Sequence, residues 1–144
     1  MSPFPAIGEL VPHQAPILAL DRLLEWRPGH AVASLTIRPD NPFVHSGRLD
    51  AVTALEYMAQ AVAACLGMEA YRGGGAVRVG MVIACRQMQI HRPVLELGET
   101  LTIRAEQVRG TDSLSHWDTR TDDAAGAPVA TATLTLVHGE KPPS

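Results

Sequence analysis

The longest apolar run in the chain extends from Asp50 to Met68, Asp-Ala-Val-Thr-Ala-Leu-Glu-Tyr-Met-Ala-Gln-Ala-Val-Ala-Ala-Cys-Leu-Gly-Met. It is rich in Ala, Leu and Met, has no proline and few β-branched residues, and therefore predicts a helix. Asp50 is suited to cap its start, and Gly67 reads as an exit signal. A surface helix sets an apolar stripe against a polar one, whereas a helix apolar all round is buried. The only carboxylate between Asp50 and Glu69 is Glu56, with Gln60 one turn later on the same face. An acid and an amide in such surroundings need partners or a task, because an unpaired buried charge is costly. Two readings of Glu56 stand at this point. Thr53-Ala54-Leu55-Glu56 has the spacing of a capping box, so a helix starting at Thr53 makes Glu56 a structural cap. A start at Asp50 leaves it available for chemistry. A membrane span is the weaker reading of the same stretch, which is barely long enough and carries Glu and Gln.

Elsewhere the pattern has period two. Pro3, Pro5, Pro12 and Pro16 predict an extended, turn-rich entry over residues 1–16. Residues 17–26 read as a short helix running into a strand, and Pro28-Gly29 as a turn. From His30 to Arg38, Ala31, Ala33, Leu35 and Ile37 alternate with Val32, Ser34 and Thr36, as in a half-buried strand. A loop over 39–47 holds Phe43 and His45 and leads into the helix. After the helix, Gly73-Gly74-Gly75 is a break, and 76–91 reads as a long strand punctuated by Arg92-Pro93 and Gly98. Further strands are expected over 100–109, with Leu101, Ile103 and Ala105 on one face, over 113–121, and over 129–138, where Ala132, Leu134 and Leu136 alternate with threonines. Residues 139–144 form a frayed tail. One helix and about five strands at meander spacing make a single α+β domain over 1–144. A flat sheet cannot cover such a helix all round. A curved antiparallel sheet wrapped around it, with a second subunit over the remainder, can.

A chain of 144 residues that is 46% hydrophobic and 19% charged is globular and somewhat greasy for a monomer. A formal net charge of −3 argues against nucleic acid as a partner. Cys65 and Cys85 form no CxxC pair, which suits reduced thiols in the cytoplasm. The first residues have neither a basic nor an apolar signal region. No His, Cys and Asp grouping has metal spacing, Ser46 and Ser113 lack a nucleophile motif, and the glycine run lacks the Lys-Ser/Thr of a phosphate loop.

Three stretches carry a family resemblance. Leu10-Val11-Pro12-His13-Gln14-Ala15-Pro16-Ile17-Leu18-Ala19-Leu20-Asp21-Arg22 is similar to an opening Leu-Pro-His-x-x-Pro, apolar run, Asp-Arg. Leu55-Glu56-Tyr57-Met58-Ala59-Gln60-Ala61 is similar to a central Glu-Ala-Met-Ala-Gln. Arg92-Pro93-Val94 followed by Gly98-Glu99-Thr100-Leu101 is similar to a loosened Arg-Pro-Val-x-Pro-Gly-Asp-x-Leu. In this order they resemble the hotdog-fold 3-hydroxyacyl-acyl-carrier-protein dehydratases, with the dehydratase-like proteins of aryl polyene clusters the nearest subgroup. The resemblance implies a hotdog fold, a long central helix wrapped by a curved antiparallel sheet of five to six strands. It implies dehydration of a 3-hydroxyacyl thioester borne on acyl carrier protein by phosphopantetheine, without a cofactor, in a homodimer. Glu56 is then the general acid on the leaving hydroxyl, and Gln60 orients it. Amides at the helix start, those of Ala51 and Val52, hold the thioester oxygen, and the acyl chain lies in an apolar tunnel between subunits.

The sequence departs from this pattern at the base. The family carries His-Phe-Pro-Gly, but the position of that histidine is Pro42 here, and the nearest histidine is His45. Either His45 reaches the same place through a shorter loop or it is an exposed loop histidine. His13 belongs to the entry motif as a structural residue. Arg48, Arg78 and Arg86 are candidates for meeting an acidic carrier protein. Two alternatives remain open. A hotdog acyl-CoA or acyl-carrier thioesterase would use Glu56 to activate water or attack the carbonyl. A catalytically incomplete subunit of a heterodimer would supply Glu56 while its partner supplies the histidine.

Overall fold

The computed structural model describes residues 3–11, 18–73, 80–111 and 113–138. A short 3-10 turn over Ile7–Glu9 leads toward strands β1 (Arg22–Arg27) and β2 (His30–Thr36), then β3 (Arg48–Asp50). A single 3-10 turn, Ala51–Thr53, runs into helix α1 (Ala54–Arg72). The strands β4 (Gly80–Ile90), β5 (Val94–Glu96), β6 (Thr100–Gly110), β7 (Leu114–Asp122) and β8 (Pro128–His138) follow. Six of them form one antiparallel sheet in the order β1-β2-β6-β7-β8-β4, while β3 and β5 pair separately. This is the α+β arrangement expected: one long helix against one curved sheet.

Strand alternation builds the core. Leu101, Ile103 and Ala105 of β6 are fully buried, as are Ala31, Ala33 and Leu35 of β2 and Leu134 of β8, and all face α1, which packs across β1, β2, β6, β7 and β8. Two expectations need correction. Residues 18–21 are not helical; they lead into β1 without regular secondary structure. Gly67 does not end the helix, which continues to Arg72 and closes at Gly73, whose N–H bonds the Glu69 carbonyl. Gly67 instead lets the entry segment through. A Cβ at this position would stand 1.7 Å from the Leu10 carbonyl oxygen. Residues 12–17, which include His13, lie outside the described part.

The second half of α1 is fastened to the β1–β2 hairpin. Trp26 donates its indole N–H to the Cys65 carbonyl at 3.1 Å, the Gly29 N–H donates to the Glu69 carboxylate at 3.0 Å, and Arg72 lies over the Trp26 ring. Burial, with help from the Glu69 carboxylate, pushes the Cys65 thiol up to about 12. Ionisation is what makes a thiol reactive. Iodoacetamide at pH 8 is therefore expected to reach Cys65 only after denaturation, as read by intact mass. The raised value also sets a sign for stability. Above about pH 9 the unfolded chain sheds this proton and the folded chain keeps it, so stability falls as pH rises from there towards 12.

By length and composition the helix is apolar enough to cross a membrane, yet most of it is the core of this fold. Its burial is uneven. Ala54, Tyr57, Met58, Gln60, Ala61, Val62, Ala64 and Cys65 are buried. Leu55, Glu56, Ala59, Ala63 and Leu66 are only half-buried, and Val52 is exposed. At 3.6 residues per turn these six positions fall within an arc of about 100°. The sheet does not close over this flank.

Candidate active site

Glu56 sits in the first turn of α1, on that incompletely covered apolar flank. The amide of Gln60 donates to its Oε1 from one turn further on, at 3.2 Å. Gln60 is fully buried, and its own carbonyl oxygen accepts the Ala19 backbone N–H at 3.0 Å. The second contact decides the first: with Oε1 turned to a fixed N–H, the Gln60 amide nitrogen has to face Glu56. A backbone amide 41 residues upstream thus sets the bearing of the carboxylate. Sequence spacing brought Glu56 and Gln60 together. It gave no sign of Ala19, whose part is played by the main chain.

The helix start is built differently from a capping box. Thr53 makes no side-chain cap bond. Asp50 caps the 3-10 turn, its carboxylate accepting the Val52 N–H at 3.0 Å. The Ala51 N–H donates to the Pro93 carbonyl at 2.9 Å. Neither amide expected to hold a thioester oxygen is therefore idle, and the two differ in kind. The acceptor for Ala51 is a backbone carbonyl beside the β3–β5 pair, which cannot withdraw without opening that ladder. The acceptor for Val52 is an exposed side chain that can rotate away. Arg-Pro-Val and Gly-Glu acquire a structural meaning here. Arg92 pairs with Glu99 and reaches Asp123 at 3.5 Å, Glu99 takes the Glu96 N–H at 2.7 Å, and Pro93 holds Ala51.

His45 is exposed in the isolated chain. Its backbone exchanges two hydrogen bonds with Arg48, of 2.8 and 3.0 Å, across a two-residue turn in which Ser46 and Gly47 both take positive φ, 54° and 74°. That is the turn type in which glycine at the second position avoids strain. Arg48 remains beside this turn, exposed. Arg86 pairs in register with Thr133, next to the inward-facing Leu134, and so projects from the sheet face away from α1 and Glu56. Arg78 lies outside the described residues.

Two polar residues near the site were not singled out from the sequence. Tyr57, fully buried beside Glu56, accepts a hydrogen bond at 2.8 Å from the Asn41 side-chain amide. Burial and the Glu56 charge both push the Tyr57 hydroxyl above its usual value. The one available signal was a tyrosine inside an apolar helix, since a buried hydroxyl finds a partner. Asn41 and Ala19 also line a cavity of about 330 Å³, together with Leu18, Leu20, Leu35 and Thr36. A larger hollow of about 690 Å³ lies among Gln87, Arg104, Asp118, Arg120 and Thr133. It opens on the far side of the sheet and has no link to Glu56. Among the described residues no cluster of three or more His, Cys, Asp or Glu side chains forms a metal site.

Comparison with known proteins gives a consistent picture. The model of the ApeP-like family, the ApeP dehydratases, matches residues 5–143. The 3-hydroxyacyl-[acyl-carrier-protein] dehydratase FabZ of Desulforamulus reducens is 32% identical over 115 residues, 74% of this chain and 78% of that protein. Among solved structures, the dehydratase heterocomplex ApeI:P from Xenorhabdus doucetiae superposes with a TM-score of 0.89 over 96% of this chain and 93% of that one, at 22% identity. A hypothetical thioesterase from Streptococcus pneumoniae, solved with coenzyme A, superposes less closely. Its TM-score is 0.65 over 82% of this chain and 84% of that one, at 16% identity.

Proposed function

The chain belongs to the ApeP-like dehydratase family, and from that premise we propose that it removes water from a 3-hydroxyacyl thioester on acyl carrier protein, giving the trans-2-enoyl thioester. The observation that carries this reading is the Glu56 carboxyl on an apolar helix flank, aimed by an amide that is itself locked to the backbone. A base takes a proton from the carbon beside the thioester carbonyl, and Glu56 in its acid form gives a proton to the departing 3-hydroxyl. The C–O bond breaks as the C=C bond forms, and water leaves. Negative charge gathers on the thioester oxygen meanwhile. The Val52 N–H at the helix start suits that charge once Asp50 swings aside, and the helix dipole adds to it. The Ala51 amide, bonded to Pro93, is left out of this role.

Our reading gives the base to a histidine near the subunit boundary, His45 or one from a second hotdog chain. Support for a second chain comes from the uncovered flank of α1 and from β4. This strand is a sheet edge of eleven residues. Val82, Cys85 and Ile90 stand in register with buried residues of β8, yet are themselves exposed. A long edge with apolar side chains invites pairing with another strand. The sequence lacks the expected upstream histidine, and the ApeI:P neighbour is a complex of two different chains. Both features favour a heterodimer in which this chain gives Glu56. Arg48, beside the turn, is the cation best placed for an acidic carrier protein.

The test is an assay of the purified protein, alone and with a second hotdog subunit of the ApeI:P type, on a 3-hydroxyacyl-carrier-protein thioester. Loss of one water from the acyl group, with the thioester kept, is the expected result. Release of free thiol without an unsaturated product would establish the thioesterase reading instead.

A further inference from the structure

We infer that Asn41 and Tyr57 form a positioning pair that holds the loop over 39–47, with Phe43 and His45, at the start of α1. The inference builds on the dehydratase reading, because the loop matters to turnover only if it borders the reaction site. Asn41 has no freedom to act otherwise. Its side-chain oxygen accepts the Phe43 N–H at 2.9 Å, which leaves its NH2 group to face the Tyr57 hydroxyl at 2.8 Å. Its backbone is held as well: the Asn41 N–H bonds the Arg38 carbonyl, and the Asn41 carbonyl takes the Val44 N–H, each at 3.1 Å. One residue therefore organises the first half of the loop and pins it to the helix residue following Glu56. The His45–Arg48 ladder and its two-residue turn fix the second half.

The geometry matters because the acid and the loop that borders it sit on different supports. Glu56 rides on a rigid, packed helix. His45 and Phe43 ride on an exposed loop, and loops reach catalytic precision only when tied down. Among the described residues, the side-chain hydrogen bond that ties this loop to α1 runs from Asn41 to Tyr57. Placing that anchor beside the acid keeps the loop in register with it, and a displacement of about 1 Å in a reacting group costs up to about 100-fold in rate.

The test uses Tyr57→Phe, which keeps the buried ring and removes the acceptor, together with Asn41→Ala and the double variant. Each is measured in the complex that shows dehydration. The expected result is a fall in kcat of about tenfold or more for each single variant, with KM and Tm nearly unchanged. The double variant should be no slower than the worse single one, because both changes cut the same link. Limited trypsin digestion gives a readout independent of activity: cleavage after Arg48 should accelerate in all three variants. If one variant fails to fold, the other single variant with the digestion readout still decides. Wild-type kcat, or losses that multiply in the double variant, would overturn the pairing. Failure of the underlying reading looks different: turnover would survive Glu56→Gln, while the digestion result would stand.

Discussion

Replacing Glu56 by glutamine is expected to lower the dehydration rate by about 10²- to 10⁴-fold while leaving the melting temperature within a few degrees of the original. The substitution is nearly isosteric. A glutamine at position 56 still offers a carbonyl oxygen to the Gln60 amide, so the contact at 3.2 Å survives. What disappears is the carboxyl proton. No capping box is at risk, because Thr53 makes no side-chain cap bond and Asp50 caps the preceding turn. Exchanging one half-buried polar head group for another of the same size on this flank has little cost in stability. Kinetics on a 3-hydroxyacyl thioester, paired with thermal melts, separate the two accounts of this residue. Turnover at the original rate would remove Glu56 from the chemistry. A fall of ten degrees or more would make it a structural residue.

Much of this architecture is readable from the chain because the sheet has one inner face. Leu101, Ile103 and Ala105 alternate with polar neighbours since every second position meets α1. The helix announced itself through the same burial, and its half-covered flank explains why it looked apolar all round: Leu55, Ala59, Ala63 and Leu66 suit a neighbour that the single chain lacks. What escaped detection was made by short or distant contacts. The strands β3 and β5 have three residues each, too few to show a period. The link from Gln60 to Ala19 runs through a backbone N–H, which leaves no trace in residue type. The same holds for the bond from the Ala51 N–H to the Pro93 carbonyl. Asn41 sits beside a proline in a stretch that reads as an ordinary turn, and nothing there points to Tyr57.

Gly67→Ala is expected to destabilise the protein by more than about 3 kcal/mol, an effect opposite in sign to what helix propensity predicts. Mid-helix glycine is normally worse than alanine by about 0.5–1 kcal/mol, because it gives up more backbone freedom. On that ground alone the variant should melt higher. The structure reverses the sign. The added methyl would stand 1.7 Å from the Leu10 carbonyl oxygen, 2.6 Å from its carbon and 3.0 Å from its Cα. These are backbone atoms, so no side-chain rotation relieves the overlap. Either α1 or the entry segment must move, and the entry segment is anchored by Leu10 and Val11 in the core. Both responses open packed surface, and the penalty exceeds the propensity gain several-fold. Thermal unfolding is expected to drop by roughly 10 °C or more. The damage should also reach the site, since the same segment continues to Ala19, whose N–H fixes Gln60 and through it the Glu56 carboxyl. A melting temperature at or above that of the parent would mean that the entry segment does not cross α1 at Gly67.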